Sequence, residues 1–95
     1  MLLLVYYTGP ESAPEQFRQA VEECGLAAEI RQEKGCLQYD YFLIPEGGVL
    51  LVEHWESTSL QQAHLAGAAM ERLKQLKERF GVVTARVERY EETGD

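Results

Sequence analysis

The sequence predicts an α+β domain with the element order β-α-β-β-α-β. Short segments rich in β-branched and aromatic residues alternate with longer stretches whose apolar residues recur every three or four positions. Gly and Pro clusters fall at the junctions, at Gly9-Pro10, Gly35, Pro45 to Gly48, and Gly81. One of these, Pro45-Glu-Gly-Gly48, joins two strand-like segments directly, which makes the second and third strands an antiparallel hairpin.

The first strand spans Leu2 to Thr8 and ends at Gly9-Pro10. The first helix opens at Ser12-Ala-Pro-Glu15, with Ser12 as N-cap, Pro14 in the first turn and Glu15 closing a capping box. Phe17, Val21, Cys24 and Ala28 form its apolar stripe, and Gln16, Arg18, Gln19, Glu22 and Glu23 its wet side. Gly25 weakens the middle, where a bend is expected, but Leu26 to Gln32 continue the helix until Lys34-Gly35 ends it. The second strand is Cys36 to Ile44, with Leu37, Tyr39, Tyr41 and Leu43 on one face.

The third strand is Val49 to Glu56, with Leu51, Glu53 and Trp55 on one face and Leu50, Val52 and His54 on the other. Hydroxyl residues Ser57 to Ser59 then cap the second helix, Ser59 with Gln62 fitting a capping box. That helix carries Leu60, Ala63, Gly67, Met70, Leu73, Leu76 and Phe80 as its apolar line, with a break expected at Gly67. Gly81 is its C-cap, Val82 to Tyr90 is the fourth strand, and residues 91–95 read as a frayed acidic tail. This order is the ferredoxin-like plan, a four-stranded antiparallel sheet with two helices on one face. Two helices leave the other face bare, yet Phe42, Ile44, Leu50 and Val52 make it apolar. A homodimer through that sheet face is therefore expected.

Ninety-five residues make one domain, spanning 1–95. Nine Lys/Arg against sixteen Asp/Glu give a net charge of −7, which repels phosphate backbones and anionic membranes. The apolar start is too short for a membrane span or a signal sequence, so a cytoplasmic location is expected. Cys24 and Cys36 lack C-x-x-C spacing and are expected to be small buried apolar residues, neither bridged nor binding metal.

The stretch from Leu50 to His64 holds the only Trp and both His residues. A carboxylate beside an indole on a half-buried strand face is unusual, because burying an unpaired charge is costly. An imidazole follows one turn into the helix. His64 can exchange protons near neutral pH, and Glu53 can orient it or act as the base itself if burial raises its pKa. Arg86 or Arg89 could instead pair with Glu53, Trp55 could be plain core, and His54 belongs to the opposite face.

Glu33-x-Gly-Cys-Leu-x-Tyr39, followed by Glu53-His-Trp-Glu-Ser57 and Ala63-His64-Leu65, resembles the antibiotic biosynthesis monooxygenase (ABM) family over essentially the whole chain. The resemblance implies a dimeric α/β barrel, and a reaction with molecular oxygen on a small aromatic, quinone-like ligand without metal, flavin or haem. It maps Glu53 and His64 to catalysis, with His64 as base, and Trp55, Tyr39 and Tyr41 to the substrate pocket. Two departures stand out. Many members carry a second His where this chain has Ala69. The haem-degrading relatives have a Trp where His64 stands and a His near the position of Lys74, so haem binding is not implied. A proton-transfer isomerase acting on a small carbonyl compound, and a non-catalytic dimeric binding module, fit the same residues.

Overall fold

The computed structural model describes residues 1–93 and forms β1 (Leu2–Thr8), α1 (Ala13–Glu23), α2 (Leu26–Arg31), β2 (Cys36–Leu43), β3 (Val49–Trp55), α3 (Thr58–Leu65), α4 (Ala68–Phe80) and β4 (Val83–Tyr90). All strand pairs are antiparallel, in the order β2-β3-β1-β4. This is the ferredoxin-like arrangement, with each expected helix divided in two.

The divisions have different causes. Gly25 takes a left-handed φ of 85°, which no side chain adopts cheaply, and it ends the α1 run and starts α2 on a new phase. Hence the predicted stripe holds at Phe17 and Val21 but not at Cys24 and Ala28, which are exposed. Leu26, Ala27 and Ile30 fill the core in their place. At Gly67 the backbone is extended, so α3 stops and α4 begins afresh. The capping expectations need correction. The Ser12 hydroxyl makes no bond to the helix backbone, and Glu15 binds Arg18 and Gln19. Ser57, not Ser59, is the N-cap of α3, its hydroxyl accepting from the Leu60 amide at 3.2 Å.

Along β1 and β3 the alternation is strict. Leu3, Val5 and Tyr7 face inward with Val49, Leu51, Glu53 and Trp55, and the residues between them are only half-buried. Strand β2 departs from the expected pattern. A register shift between Cys36 and Gln38 sets Cys36 opposite Trp55 and Gln38 opposite His54. Leu37 is thereby thrown outward to 57% exposure, while Tyr39 stays buried on the inner face. Neither cysteine is fully buried: Cys24 is exposed and Cys36 half-buried, and both are free thiols. Strand β2 ends at Leu43, and Ile44 joins the turn, accepting from the Gly47 amide and donating to the Gly48 carbonyl. Val82 is buried ahead of β4.

Gly35 sits where β2 meets α3. Its φ is 84°, and a Cβ there would stand 2.5 Å from Leu60 Cδ1, so α3 lies directly on this bend. The Gly35 carbonyl also accepts from the Glu56 amide at 2.8 Å, tying the start of β2 to the exit of β3. Helix α4 packs on α1 and α2, and α3 on β3. Glu91 pairs with Arg89 and Glu92 with His54, so the start of the acidic tail is tied to the sheet; residues 94 and 95 of that expected tail lie outside the described residues. Among the described residues no helix is long and apolar enough to cross a membrane, and no group of His, Cys, Asp or Glu could hold a metal ion.

Candidate functional site

Strand β3 places Glu53 and Trp55 two residues apart on the inner face, so both side chains leave the sheet in the same direction. Glu53 lies between Leu3 on β1 and Tyr39 on β2, and only 7% of it is exposed. The arginine partners considered for it lie elsewhere. Arg86 stacks over the Tyr6 ring, and Arg89 binds Glu91 and Thr58. The Glu53 carboxylate instead accepts from the Trp55 indole N–H at 3.0 Å. One hydrogen bond does not replace a carboxylate's hydration, so burial raises the Glu53 pKa; the indole bond and the charge of nearby His64 offset part of that rise.

His64 projects from α3 and is 3% exposed. Its ring stacks on Trp55 at 4.8 Å between centroids, with 29° between the planes. Its Nδ1 lies 2.9 Å from Glu33 Oε1. An ionised carboxylate can only accept, so Nδ1 carries the hydrogen and, in the neutral ring, Nε2 keeps the lone pair. Glu33 stood in the sequence as the first letter of a motif without an assigned role. Its partnership with His64, 31 positions away, arises where the α2–β2 turn meets α3.

A cavity of about 650 Å³ opens between the sheet and helices α3 and α4. Glu53 lines it with Leu3, Val5 and Tyr7 from β1, Gln61 and Leu65 from α3, and Met70, Leu73, Lys74 and Lys77 from α4. Of the expected site residues, Glu53 alone is part of this wall. Trp55 and His64 form the adjoining stacked pair, which touches the wall through Glu53. Tyr39 and Tyr41 stand on the β2 side, their hydroxyls 3.1 Å apart. Burial pushes the phenols of Tyr7, Tyr39 and Tyr41 up, so all three stay protonated at neutral pH. Sequence reasoning missed Tyr7, Gln61 and Lys77. Strand alternation alone could have found Tyr7, since it shares a face with Leu3 and Val5.

A largely apolar cavity between an antiparallel sheet and its helices, with the buried carboxylate of Glu53 in its wall, marks a small α+β protein with a cavity in the size range of small-molecule pockets. A sequence model described as antibiotic biosynthesis monooxygenase matches residues 1–76, and the chain belongs to that family. Solved structures agree on the fold. One, from Deinococcus radiodurans and provisionally described as an antibiotic biosynthesis monooxygenase, aligns with a TM-score of 0.79 at 22% identity, over 100% of this chain and 95% of that one. A conserved protein of unknown function from Bacteroides thetaiotaomicron aligns at 0.76, with 22% identity over 92% and 90% of the two chains. A further antibiotic biosynthesis monooxygenase aligns at 0.73, with 22% identity over 99% and 100%. No curated protein matches this chain in sequence.

Proposed function

We propose that the chain is a monooxygenase that oxidises a small aromatic of the quinol, polyphenol or anthrone type with molecular oxygen. The observation that carries this reading is Glu53, a buried carboxylate of raised pKa in the wall of an otherwise largely apolar cavity. With an anthrone, the carboxylate takes a proton from the ring methylene and leaves a carbanion delocalised over the rings. Oxygen accepts an electron from that anion, and the two fragments combine to a hydroperoxide. Loss of water, completed by the proton that Glu53 returns, gives the ketone. The methylene loses four electrons and the oxygen molecule gains four, so the substrate is the only reductant.

Between the two expected catalytic groups, Glu53 receives the proton and His64 sets its charge. An imidazolium held by Glu33 and stacked on Trp55 favours the carboxylate form of Glu53. Tyr39 and Tyr41 shape the wall from behind rather than touching the substrate. The test is oxygen uptake with anthrone and a panel of hydroquinones. Uptake is expected, with His64→Ala lowering kcat/KM about tenfold and moving its pH profile upward. No uptake across the panel sinks the activity, and turnover without oxygen identifies an isomerase instead. If His64→Ala abolishes uptake in a folded protein while Glu53→Gln retains it, the two roles exchange.

The exposed sheet face supports a two-fold homodimer. Phe42 is 48% exposed and Tyr90 51%, and they flank the half-buried Leu50, Val52, Leu4 and Tyr6. Sedimentation equilibrium is expected to give twice the chain mass, and Val52→Asp to give the monomer.

A further inference from the structure

Two charged groups of the cavity wall, Glu53 and Lys77, stand beside different residues of β1. Glu53 faces Leu3 across the β1–β3 ladder, whereas Lys77 sits over the Tyr7 ring, its Nζ 5.3 Å from the centroid. Leu3 and Tyr7 are four residues apart, roughly 13 Å along a strand. The Lys77 ammonium donates to Thr84 Oγ1 at 2.8 Å, and it makes no ion pair among the described residues. Lys74 also lines the cavity and makes no ion pair among the described residues. In a chain with sixteen carboxylates and a net charge of −7, a wall holding Lys74 and Lys77 against Glu53 and Glu71 lacks the chain's excess of negative charge. Glu71 also lines the cavity, three residues before Lys74 on α4.

We propose that Lys77 is a specificity-determining residue, and that the cavity takes an aromatic acid whose carboxylate binds Lys77 while its hydroxylated or acidic carbon end meets Glu53. An ammonium has three donors, and Thr84 uses one. Partial burial disfavours the charged amine and lowers its pKa, so a bound anion relieves a cost the free protein carries. The backbone spacing of about 13 Å from Leu3, opposite Glu53, to Tyr7, beneath Lys77, leaves room for a frame of two or three fused rings. The inference rests on the reading that this cavity receives the substrate.

The test is a binding titration without oxygen, using the fluorescence of 6-hydroxy-2-naphthoate and of 2-naphthol. These probes share a hydroxylated two-ring frame and differ by the carboxylate. In the unaltered protein the acid is expected to bind about tenfold more tightly, the scale of one charge-assisted hydrogen bond. Lys77→Met should bring the ratio close to one, and Lys77→Arg should keep it. Lys77→Gln replaces the methionine variant if that does not fold. Equal affinities in the unaltered protein, a preference that survives Lys77→Met, or no binding of either probe overturns the proposal. Oxygen uptake is scored separately. An acid preference without uptake removes the oxygenase and leaves the anion end, and uptake without a preference does the reverse.

Discussion

Glu53→Gln is expected to lower kcat/KM for anthrone oxidation by about 10²- to 10⁴-fold, the range for removal of a general base, and to make the folded protein more stable at neutral pH. Both effects have one cause. The folded protein binds the Glu53 proton more tightly than the unfolded chain does, because burial raises the pKa. Below the unfolded value, about 4.3, the group is protonated in both states and costs nothing. As pH rises from there the unfolded chain ionises first, and stability falls until the folded pKa is passed. A neutral amide has no such penalty, and its oxygen still accepts from the Trp55 indole. The Tm of Glu53→Gln should therefore exceed the parent's at pH 7 to 8 and converge on it below pH 4. The rising limb of the parent's pH–rate profile, set above the ordinary carboxylate range, should vanish in the variant. Equal melting temperatures at neutral pH would show that the carboxylate is not desolvated.

Trp55→Ala is expected to cost about 3 to 5 kcal/mol, the scale for deleting a large aromatic from a packed core. The indole is fully buried, stacks on His64 and lies opposite Cys36 on β2. In a domain of this size about 1 kcal/mol moves Tm by at least 4 °C, so a fall of 12 °C or more is expected in a melting curve. Trp55→Phe separates packing from chemistry. It keeps a ring against His64 but removes the only donor found for Glu53 among the described residues. Since that bond holds the Glu53 pKa down, the pH–rate limb should move upward in Trp55→Phe while most of the stability is kept. An unmoved limb would show that the indole does not control the carboxylate's charge.

The parts of the fold visible in the sequence are those governed by neighbours along the chain. Strict alternation set the faces of β3, and the glycines at 25 and 67 marked where the helices divide. What was hidden depends on contacts between distant segments. The Leu37 bulge follows from how β2 pairs with β3, and no pattern within Cys36 to Leu43 encodes it. Ser57 wins the cap from Ser59 because its own backbone is extended as it leaves β3. In the site, the proximity of Glu53 and Trp55 was legible from strand period alone. The Glu33–His64 bond was not, since both residues look like ordinary helix-end and helix-face groups until α3 is laid against the α2–β2 turn. Gln61 and Lys77 carry no local mark, because only the cavity distinguishes them from solvated polar residues.

The roof of the cavity comes in two pieces, joined at Gly67. Helix α3 carries His64 and is tied to the sheet side through Glu33 and the Gly35 bend. Helix α4 supplies Met70, Leu73, Lys74 and Lys77 and leans on α1 and α2. His64 and most of the helical wall of the cavity thus belong to separate segments with separate supports. Under the proposed function, replacements in α4 would retune which molecules are accepted while Glu53, Trp55 and His64 stay put.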